Sequence, residues 1–337
     1  MKATITDVAH LAGVSMKTVS RVLNKEPNVT VKTRDKVLKA ASELKYSPNL
    51  AAKGLATSKS YLVALIYDSS ASPHYISGIQ SGAIQACREF GYHLVPEPLP
   101  SLVEVGIETA LSTLTELLRR LSVDGVVLAP PLCDEKPIVA FLKSMNIPFA
   151  LIAPSKGEPN ARAVKMDDVE AARDITNYLL SKGHSNIGFV KGHAQHSAAT
   201  LRYVGFCEAM EQAGASIDVR NIVQGDFSFR SGVAAAERLL RDETGRPTAI
   251  FASNDDMAAG VVSVASRLGF SVPKDLAVCG FDDTPIAKIL HPQLTTIRQP
   301  IIDMGFEAVK LLVSPECKKQ PPSTQNLDYE LIIRDSA

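Results

Sequence analysis

The 337-residue sequence contains no tryptophan, no run of 18 apolar residues and no pair of cysteines spaced as metal ligands. The missing apolar run excludes a transmembrane helix, and the N-terminus lacks the charged and apolar regions of a secretory signal. The cysteines at positions 87, 133, 207, 279 and 317 are scattered and odd in number, which indicates neither a zinc site nor a disulfide framework. We therefore expect a cytoplasmic protein without a membrane partner.

Sequence signatures of catalysis and of nucleotide binding are also missing. No GxGxxG, GxxxxGK[ST] or GxSxG motif occurs, and no His/Glu cluster has metal-ligand spacing. The adjacent carboxylates Asp255–Asp256 and Asp282–Asp283 suggest an acid/base pair, but neighbouring residues point apart on a strand. The sequence therefore predicts no enzyme activity, no cofactor and no metal.

Charge is unevenly distributed although the net charge is zero. Residues 1–60 contain 11 Lys/Arg and 4 Asp/Glu, so the remaining residues carry an excess of acid. A basic head on an acidic body is typical of a protein that binds nucleic acid. The alternative is an ordinary solvated helix surface.

The stretch "ITDVAHLAGVSMKTVSRVLN" predicts two short helices joined by a tight turn. Thr6 is a candidate cap for the first helix and Ser15 for the second. Ala9, Gly13 and Val19 supply the small contact residue, the turn residue and the core anchor of a helix-turn-helix. A third helix is predicted from Thr30 to about Lys45. The predicted core of the three helices consists of Val8, Leu11, Ala12, Val19, Val22, Leu23, Val37, Leu38, Ala41 and Leu44.

Polar and long side chains on the second helix remain outside this core. Such side chains on the first turn of a recognition helix suit base-edge readout, where Lys donates to guanine and Met contacts a thymine methyl. The residues are Met16, Lys17, Thr18, Ser20 and Arg21.

The segment that follows, "YSPNLAAKGLATSKS", predicts one or two helical turns after Pro48. Such a short helix is marginal alone. Leu50 and Leu55 indicate a segment that folds on DNA and inserts a leucine into the minor groove. The alternative interpretation is a polar, flexible tether.

Apolar strands alternate with helical stretches of 12 to 20 residues from residue 62 onward. The strands are predicted at 62–67, 125–129, 149–153, 186–192, 248–253 and 276–283. This alternation favours doubly wound parallel sheets, one before about residue 160 and another up to about residue 290. Polar groups follow several strands, as in "DSSASPHY", "SNDD" and "FDD", where open α/β sheets bind ligands.

The runs "TDVAHLAGVSMKTVSRVLN" and "VKTRDKVLKAASELKYSPNLAAKGL" resemble the DNA-binding head and hinge of the LacI/GalR family of bacterial repressors. The resemblance implies an N-terminal all-α helix-turn-helix head with a hinge helix. An α/β body like that of periplasmic binding proteins would follow, built of two doubly wound parallel-sheet lobes. The domains expected are 1–47 for the head, 48–60 for the hinge and linker, 61–160 with 293–324 for the first lobe, and 161–292 with 325–337 for the second.

The resemblance also implies a set of DNA contacts. Met16, Lys17 and Arg21 take base-reading positions, and Leu55 matches the hinge leucine that wedges into the central base step. Gly54, beside it, is a departure that disfavours a helix by roughly 1 kcal/mol relative to alanine. The full set is Thr6, Ser15, Met16, Lys17, Thr18, Ser20, Arg21, Asn24, Asn49, Ala52, Lys53 and Leu55.

A small-molecule effector in the interlobe cleft is implied in the same way. Arg202 of "TLRYVGF", Phe227 of "GDFSF", Asn254 and Asp282 match effector-binding positions, and Tyr75 matches a position that commonly faces the pocket. Alternatively, Arg202 bridges helices, Phe227 belongs to the core and Asp282 caps a helix. Ala153 and Pro154 depart from sugar-binding relatives, which often have an aspartate there.

The function implied is that of a bacterial repressor of sugar-utilisation genes, nucleoid-associated when bound to its operator. A homodimer on a palindromic operator is expected, and effector closure of the cleft would change the separation of the two hinges. No leucine-heptad tail is seen, which disfavours a coiled-coil tetramer. The alternatives are a regulator responding to a purine or phosphorylated metabolite, a solute-binding protein, or a sugar-metabolising enzyme.

Overall fold

A computed structural model describes residues 3–23, 29–46, 59–241 and 244–337. The chain divides into two compact units, Met1–Tyr61 and Leu62–Ala337. Among the described residues, no helix is both long enough and apolar enough to cross a membrane.

The described residues of the first unit form three helices: α1 (Ile5–Ala12), α2 (Met16–Leu23) and α3 (Val31–Glu43). They pack around Val8, Val19 and Val37, each fully buried. The prediction that Leu11 and Leu38 belong to this core is wrong. Their side chains are 47% and 48% exposed. Both lie on helix faces turned away from the valine cluster.

Local capping explains where these helices begin and end. Thr4, rather than the predicted Thr6, caps α1, because its side chain and that of Asp7 accept hydrogen bonds from each other's backbone N–H groups. Gly13 ends α1 in the left-handed region at φ 64°, as a tight turn requires. The Ser15 hydroxyl accepts from the Thr18 N–H at 3.2 Å and so caps α2, as predicted.

The second unit consists of two lobes. The first lobe is built on a six-stranded parallel sheet of order β11-β5-β4-β3-β1-β2. Residues Val63–Ile66 of β1, a strand with neighbours on both sides, are fully buried, as expected for a parallel sheet covered by helices on both faces. Its strands are β1 (Leu62–Asp68), β2 (His93–Leu99), β3 (Gly125–Leu128), β4 (Phe149–Ile152), β5 (Arg162–Lys165) and β11 (Thr324–Asn326), and its helices are α4 (Pro73–Phe90), α5 (Leu102–Arg120), α6 (Lys136–Ser144), α12 (Ile301–Val313) and α13 (Pro315–Lys318).

The second lobe has a four-stranded parallel sheet of order β7-β6-β8-β9. A two-stranded antiparallel ribbon of β10 and β12 accompanies it. The elements are α7 (Asp168–Ser181), β6 (Ile187–Lys191), α8 (Ser197–Gln212), β7 (Ile222–Gln224), α9 (Phe229–Arg241), β8 (Ala249–Ala252), α10 (Asp255–Arg267), β9 (Ala277–Cys279), α11 (Pro285–Ile289), β10 (Thr296–Arg298) and β12 (Glu330–Ile332).

The chain passes between the lobes three times, after β5, after β10 and after β11. The predicted boundaries follow residues 160, 292 and 324, and sheet pairing places each crossover a few residues later. Strand β5 pairs with β4 in the first lobe, and β11 pairs with β5. The N–H groups of Gly280 and Asp282 donate to the carbonyls of Thr295 and Ile297, which therefore stay with the second lobe. Sheet pairing thus places the crossovers at 166–167, 299–300 and 327–329.

Candidate effector cleft and DNA-reading helix

Helix α2 has one buried face and one exposed face. Val19 and Val22 are buried against α1 and α3, while Met16 is 53% exposed and Lys17 and Arg21 are exposed. The Thr6 hydroxyl lies 3.4 Å from the Met16 sulfur, so the start of α1 adjoins the first turn of α2. The outer surface of α2 therefore combines two cations with a long apolar side chain.

The other predicted DNA contacts divide between described and undescribed positions. Thr6 and Ser15 are exposed, and Thr18 and Ser20 are partly buried on the sides of α2. Asn24 and the predicted hinge contacts, Asn49, Ala52, Lys53 and Leu55, lie outside the described residues.

A cavity of about 400 Å³ lies between the lobes at the carboxyl ends of their strands. The first lobe contributes residues that follow β1, β2, β3 and β4, and the second contributes residues from the loops after β6, β7, β8 and β9. All five predicted effector residues line it: Tyr75, Arg202, Phe227, Asn254 and Asp282.

Arg202 is the buried cation of this cavity, at 5% exposure. Its Nε donates to Asp168 Oδ1 at 2.9 Å, and its NH1 donates to the Ser253 carbonyl at 2.6 Å. The guanidinium lies 3.7 Å from the centroid of the Phe281 ring, a cation–π contact. Since Arg202 is on α8 and Asp168 begins α7, the pair joins these helices while facing the cavity, so bridging and cavity lining occur together.

Phe227 and Asn254 form one unit on the second lobe. The Asn254 side chain caps α10 by accepting from the Met257 N–H at 3.0 Å, and its amide donates to the Phe227 carbonyl at 2.8 Å. Phe227 has a φ of 72°, a left-handed conformation uncommon for a residue with a side chain. Its ring covers Gly192 so closely that a Cβ there would lie 2.0 Å from Phe227 Cζ. Phe227 is thus a partly exposed ring of the cavity wall.

Asp282 follows β9 and has a φ of 121°. Its Oδ1 accepts from the Gln299 amide at 2.6 Å and lies 3.8 Å from Arg202 NH1. Burial is the largest influence on this carboxyl and raises its pKa to about 7. The carboxyl faces the cavity and does not cap α11, whose cap residue Thr284 makes no side-chain capping bond.

Other polar groups complete the cavity wall. Burial raises the pKa of Tyr75, so its phenol stays neutral. Burial, followed by the neighbouring His193, lowers the pKa of His196 to about 4, so that ring is uncharged at neutral pH. The His196 ring meets the Phe227 ring edge-on, with 5.5 Å between centroids. No group of three potential metal ligands occurs among the described residues.

Two family models match the chain. "Bacterial regulatory proteins, lacI family" covers residues 4–49, and "Periplasmic binding protein-like domain" covers residues 176–337. The HTH-type transcriptional regulator DegA of Bacillus subtilis is 34% identical over 340 residues, covering 100% of this chain and 98% of DegA. The chain belongs to the LacI family. The ribose operon repressor of Escherichia coli K12 is also similar, at 33% identity over 92% of each protein.

Solved structures of LacI-family proteins share the fold over the whole chain. The lac repressor dimer bound to operator and the anti-inducer ONPF has a TM-score of 0.80 and 29% identity, covering 100% of this chain and 99% of that one. The CelR–cellobiose complex has a TM-score of 0.74 and 31% identity, covering 99% and 100%. These comparisons confirm the predicted fold class. The protein is a DNA-binding transcriptional repressor of the LacI family, and its relatives are regulators rather than enzymes.

Sequence reasoning missed several cavity residues of this LacI-family chain. Gln299 lies in the crossover, and His196, Asp226 and Glu104 lie in loops or at helix starts. A signal existed for His196 and Asp226, because both follow strands whose carboxyl ends face the crevice. No local pattern marked Gln299, which reaches the cavity through the path of the crossover.

Proposed function

We propose that this LacI-family repressor is controlled by an uncharged sugar bound between its lobes. The observation that carries the proposal is the cavity of about 400 Å³, which combines the Phe227 ring with Arg202, Asn254 and Asp282. Rings pack on the apolar face of a sugar, and carboxylate, amide and guanidinium groups hydrogen-bond its hydroxyls. The sugar named in the CelR–cellobiose complex and the ribose operon named for the second relative support this class.

The charge of the cavity argues against a phosphorylated effector. Besides Asp282, three acidic residues line it, Glu104, Asp168 and Asp226, against one arginine whose charge Asp168 already opposes at 2.9 Å. Burial tends to raise the pKa of Asp226, but hydrogen bonds from Ser228 and Ser231 outweigh it and hold that pKa below its usual value. A phosphate carries about −1.5 to −2 charges at pH 7 and would meet this excess of acid.

On the DNA side, we propose that two copies of the chain bind a palindromic operator, with α2 in the major groove. Lys17 and Arg21 on the exposed face of α2 would contact base edges and phosphates, and Met16 a thymine methyl. The operator-bound dimer of the lac repressor supports this arrangement.

The effector proposal is tested by thermal melting of the full chain with D-ribose, D-glucose, D-galactose, cellobiose, lactose, glucose 6-phosphate and hypoxanthine. A ligand of the native state stabilises it by RT ln(1 + [L]/Kd), about 2.7 kcal/mol at a hundredfold excess over Kd. We expect one of the neutral sugars to raise the melting temperature. A rise with hypoxanthine or the sugar phosphate alone would contradict the proposal and favour the alternative regulator.

The DNA proposal is tested by selecting bound sequences from a random library and measuring affinity against salt. We expect Lys17→Ala to change the preferred bases or to reduce the salt slope by about one, while Lys274→Ala on the second lobe changes neither. Unchanged sequence preference, affinity and salt slope in Lys17→Ala would contradict the placement of α2.

A further inference from the structure

We infer that Gln299 is a positioning residue that links effector contact at Asp282 to movement of the two lobes. The inference rests on the proposed control by an effector in the cleft. It concerns how occupancy of that cleft is passed to the rest of the chain.

Gln299 occupies the second crossover, between β10 of the second lobe and α12 of the first. Its side chain is 7% exposed and lines the cavity. The amide nitrogen donates to Asp282 Oδ1 at 2.6 Å. A side chain of the crossover therefore binds the carboxylate that faces the effector.

The part of the crossover before Gln299 belongs firmly to the second lobe. The Thr296 hydroxyl donates to Asp255 Oδ1 at 2.6 Å, and the Asp255 Oδ2 accepts from the N–H and hydroxyl of Thr284. Asp255 is fully buried at the start of α10. These bonds join β10, the loop after β9 and α10 into one body.

The part after Gln299 belongs as firmly to the first lobe. Helix α12 begins at Ile301, and a Cβ added to Gly82 of α4 would lie 1.8 Å from the Ile302 carbonyl. The backbones of α12 and α4 are therefore in direct contact, which places α12 in the first lobe. The Gln299–Asp282 bond therefore ties the crossover to the second lobe at the point where the chain leaves it for the first.

The turn that carries Asp282 is suited to transmit movement. Asp282 and Asp283 both have positive φ, 121° and 53°, and such backbone strain collects at switch regions. Asp283 is held in place by Arg298, at 2.8 Å, and by Arg334 beyond the third crossover. An effector hydroxyl that binds Asp282 shares its carboxyl group with Gln299, so occupancy changes a contact that the crossover makes with the second lobe.

The test compares Gln299→Leu with the wild-type chain, using the sugar of the melting panel that gives the largest shift. Sugar affinity and operator affinity, with and without sugar, are measured on the full chain. We expect the sugar still to bind, and the effect of the sugar on operator affinity to fall at least tenfold, a larger factor than the change in the sugar Kd of the free chain. Gln293→Leu is the matched control, because it makes the same change at an exposed position of the same segment and should behave as wild type.

A response to sugar that stays at the wild-type level in Gln299→Leu would overturn the inference. Loss of sugar binding together with the response would also overturn it, because Gln299 would then be a simple contact residue. If the wild-type chain responds to no sugar, the proposed function fails. The bond between Gln299 and Asp282 is then tested by a measurement that needs no ligand. Carboxyl NMR titration should show a higher pKa for Asp282 in Gln299→Leu, since the lost donor favoured the ionised form. An unchanged pKa would show that the bond is not made.

Discussion

Replacing Arg202 by methionine tests how much the buried ion pair with Asp168, in the wall of the cleft, stabilises the second lobe. Arg202 and Asp168 are 5% and 6% exposed, with 2.9 Å between Nε and Oδ1. Methionine retains much of the length and apolar volume of the side chain but removes the charge. Asp168 then loses its cation, and the Ser253 carbonyl loses the donor at 2.6 Å.

The cost follows from the burial of the partners. Removing one member of a buried pair costs about 3–5 kcal/mol, mostly because the remaining charge is left uncompensated. At about 2–4 °C per kcal/mol for a unit of this size, the melting temperature should fall by roughly 6–20 °C. The double variant Asp168→Asn/Arg202→Met removes both charges and should lose much less than the sum of the single variants.

Calorimetry of the full chain, with the melting of the second unit followed separately, measures these differences. Arg267→Met is the matched control, because Arg267 pairs with Glu237 on the surface with side chains 60% and 44% exposed. Exposed pairs contribute little, so this control should melt as wild type. A fall of less than 2 °C in Arg202→Met, or strictly additive losses in the double variant, would refute the reasoning.

Three further predictions concern the cleft and the hinge. Gly192→Ala should displace the Phe227 ring, whose Cζ would lie 2.0 Å from the new Cβ, and abolish sugar-induced stabilisation; an unchanged sugar Kd by calorimetry would contradict this. Burial raises the pKa of Asp282 to about 7 in the folded chain. Between about pH 4 and pH 7 this carboxyl is therefore ionised in the unfolded chain but keeps its proton in the folded one. The free energy of unfolding should fall as the pH rises through that window. In Asp282→Asn, urea unfolding should show a smaller decline of stability with pH. A decline as steep as in the wild type would show that Asp282 is not its cause. Leu55→Ala should weaken operator binding far more than binding to random DNA, and equal losses in both would rule out the wedge predicted from the sequence.

Local chemistry made the head and the main strands predictable. The Gly13 turn, the Ser15 cap and the buried Val19 follow from short-range signals, and the structure confirms each. The prediction that Thr6 caps α1 was wrong by two residues. Thr4 is the cap because the Asp7 side chain accepts a hydrogen bond from the Thr4 N–H. Leu11 was predicted to be buried but is exposed. Helical periodicity identifies the apolar face of a helix, but it does not say how much of that face a small three-helix core can cover.

Strands that break the usual pattern escaped prediction. Strand β2 reads "HLVPEPL", and Pro96 and Pro98 argue against a strand because they cannot donate to a ladder. The two prolines are tolerated because β2 is at the edge of its sheet, where β1 is its one neighbour among the strands of the described residues. Strand β5 is only four residues long, so its place depends on β4 and β11 rather than on its own sequence.

The position of the five predicted effector residues in the cavity wall could be expected from the sequence, because four of them stand in recognisable motifs that follow strands or lie on a helix. What could not be predicted is how Arg202 is partnered, since Asp168 lies 34 residues earlier and joins it only in the folded lobe. Gln299 was unpredictable for the same reason, because its bond to Asp282 depends on the course of a crossover between two sheets.

The cleft lies beside two of the crossovers between the lobes. Asp168 follows directly on the first crossover and Gln299 lies in the second, and Arg202 and Asp282 lie between them. The chain of contacts Asp168–Arg202–Asp282–Gln299 therefore runs from one pivot segment to the other through the two groups most able to bind an effector. A ligand shifts an equilibrium only by its differential affinity for the two arrangements. Arg202 and Asp282 both belong to the second lobe, so an effector that binds them discriminates between two arrangements of the lobes only through the contacts it also makes with the first lobe, such as those at Tyr75 and Glu104.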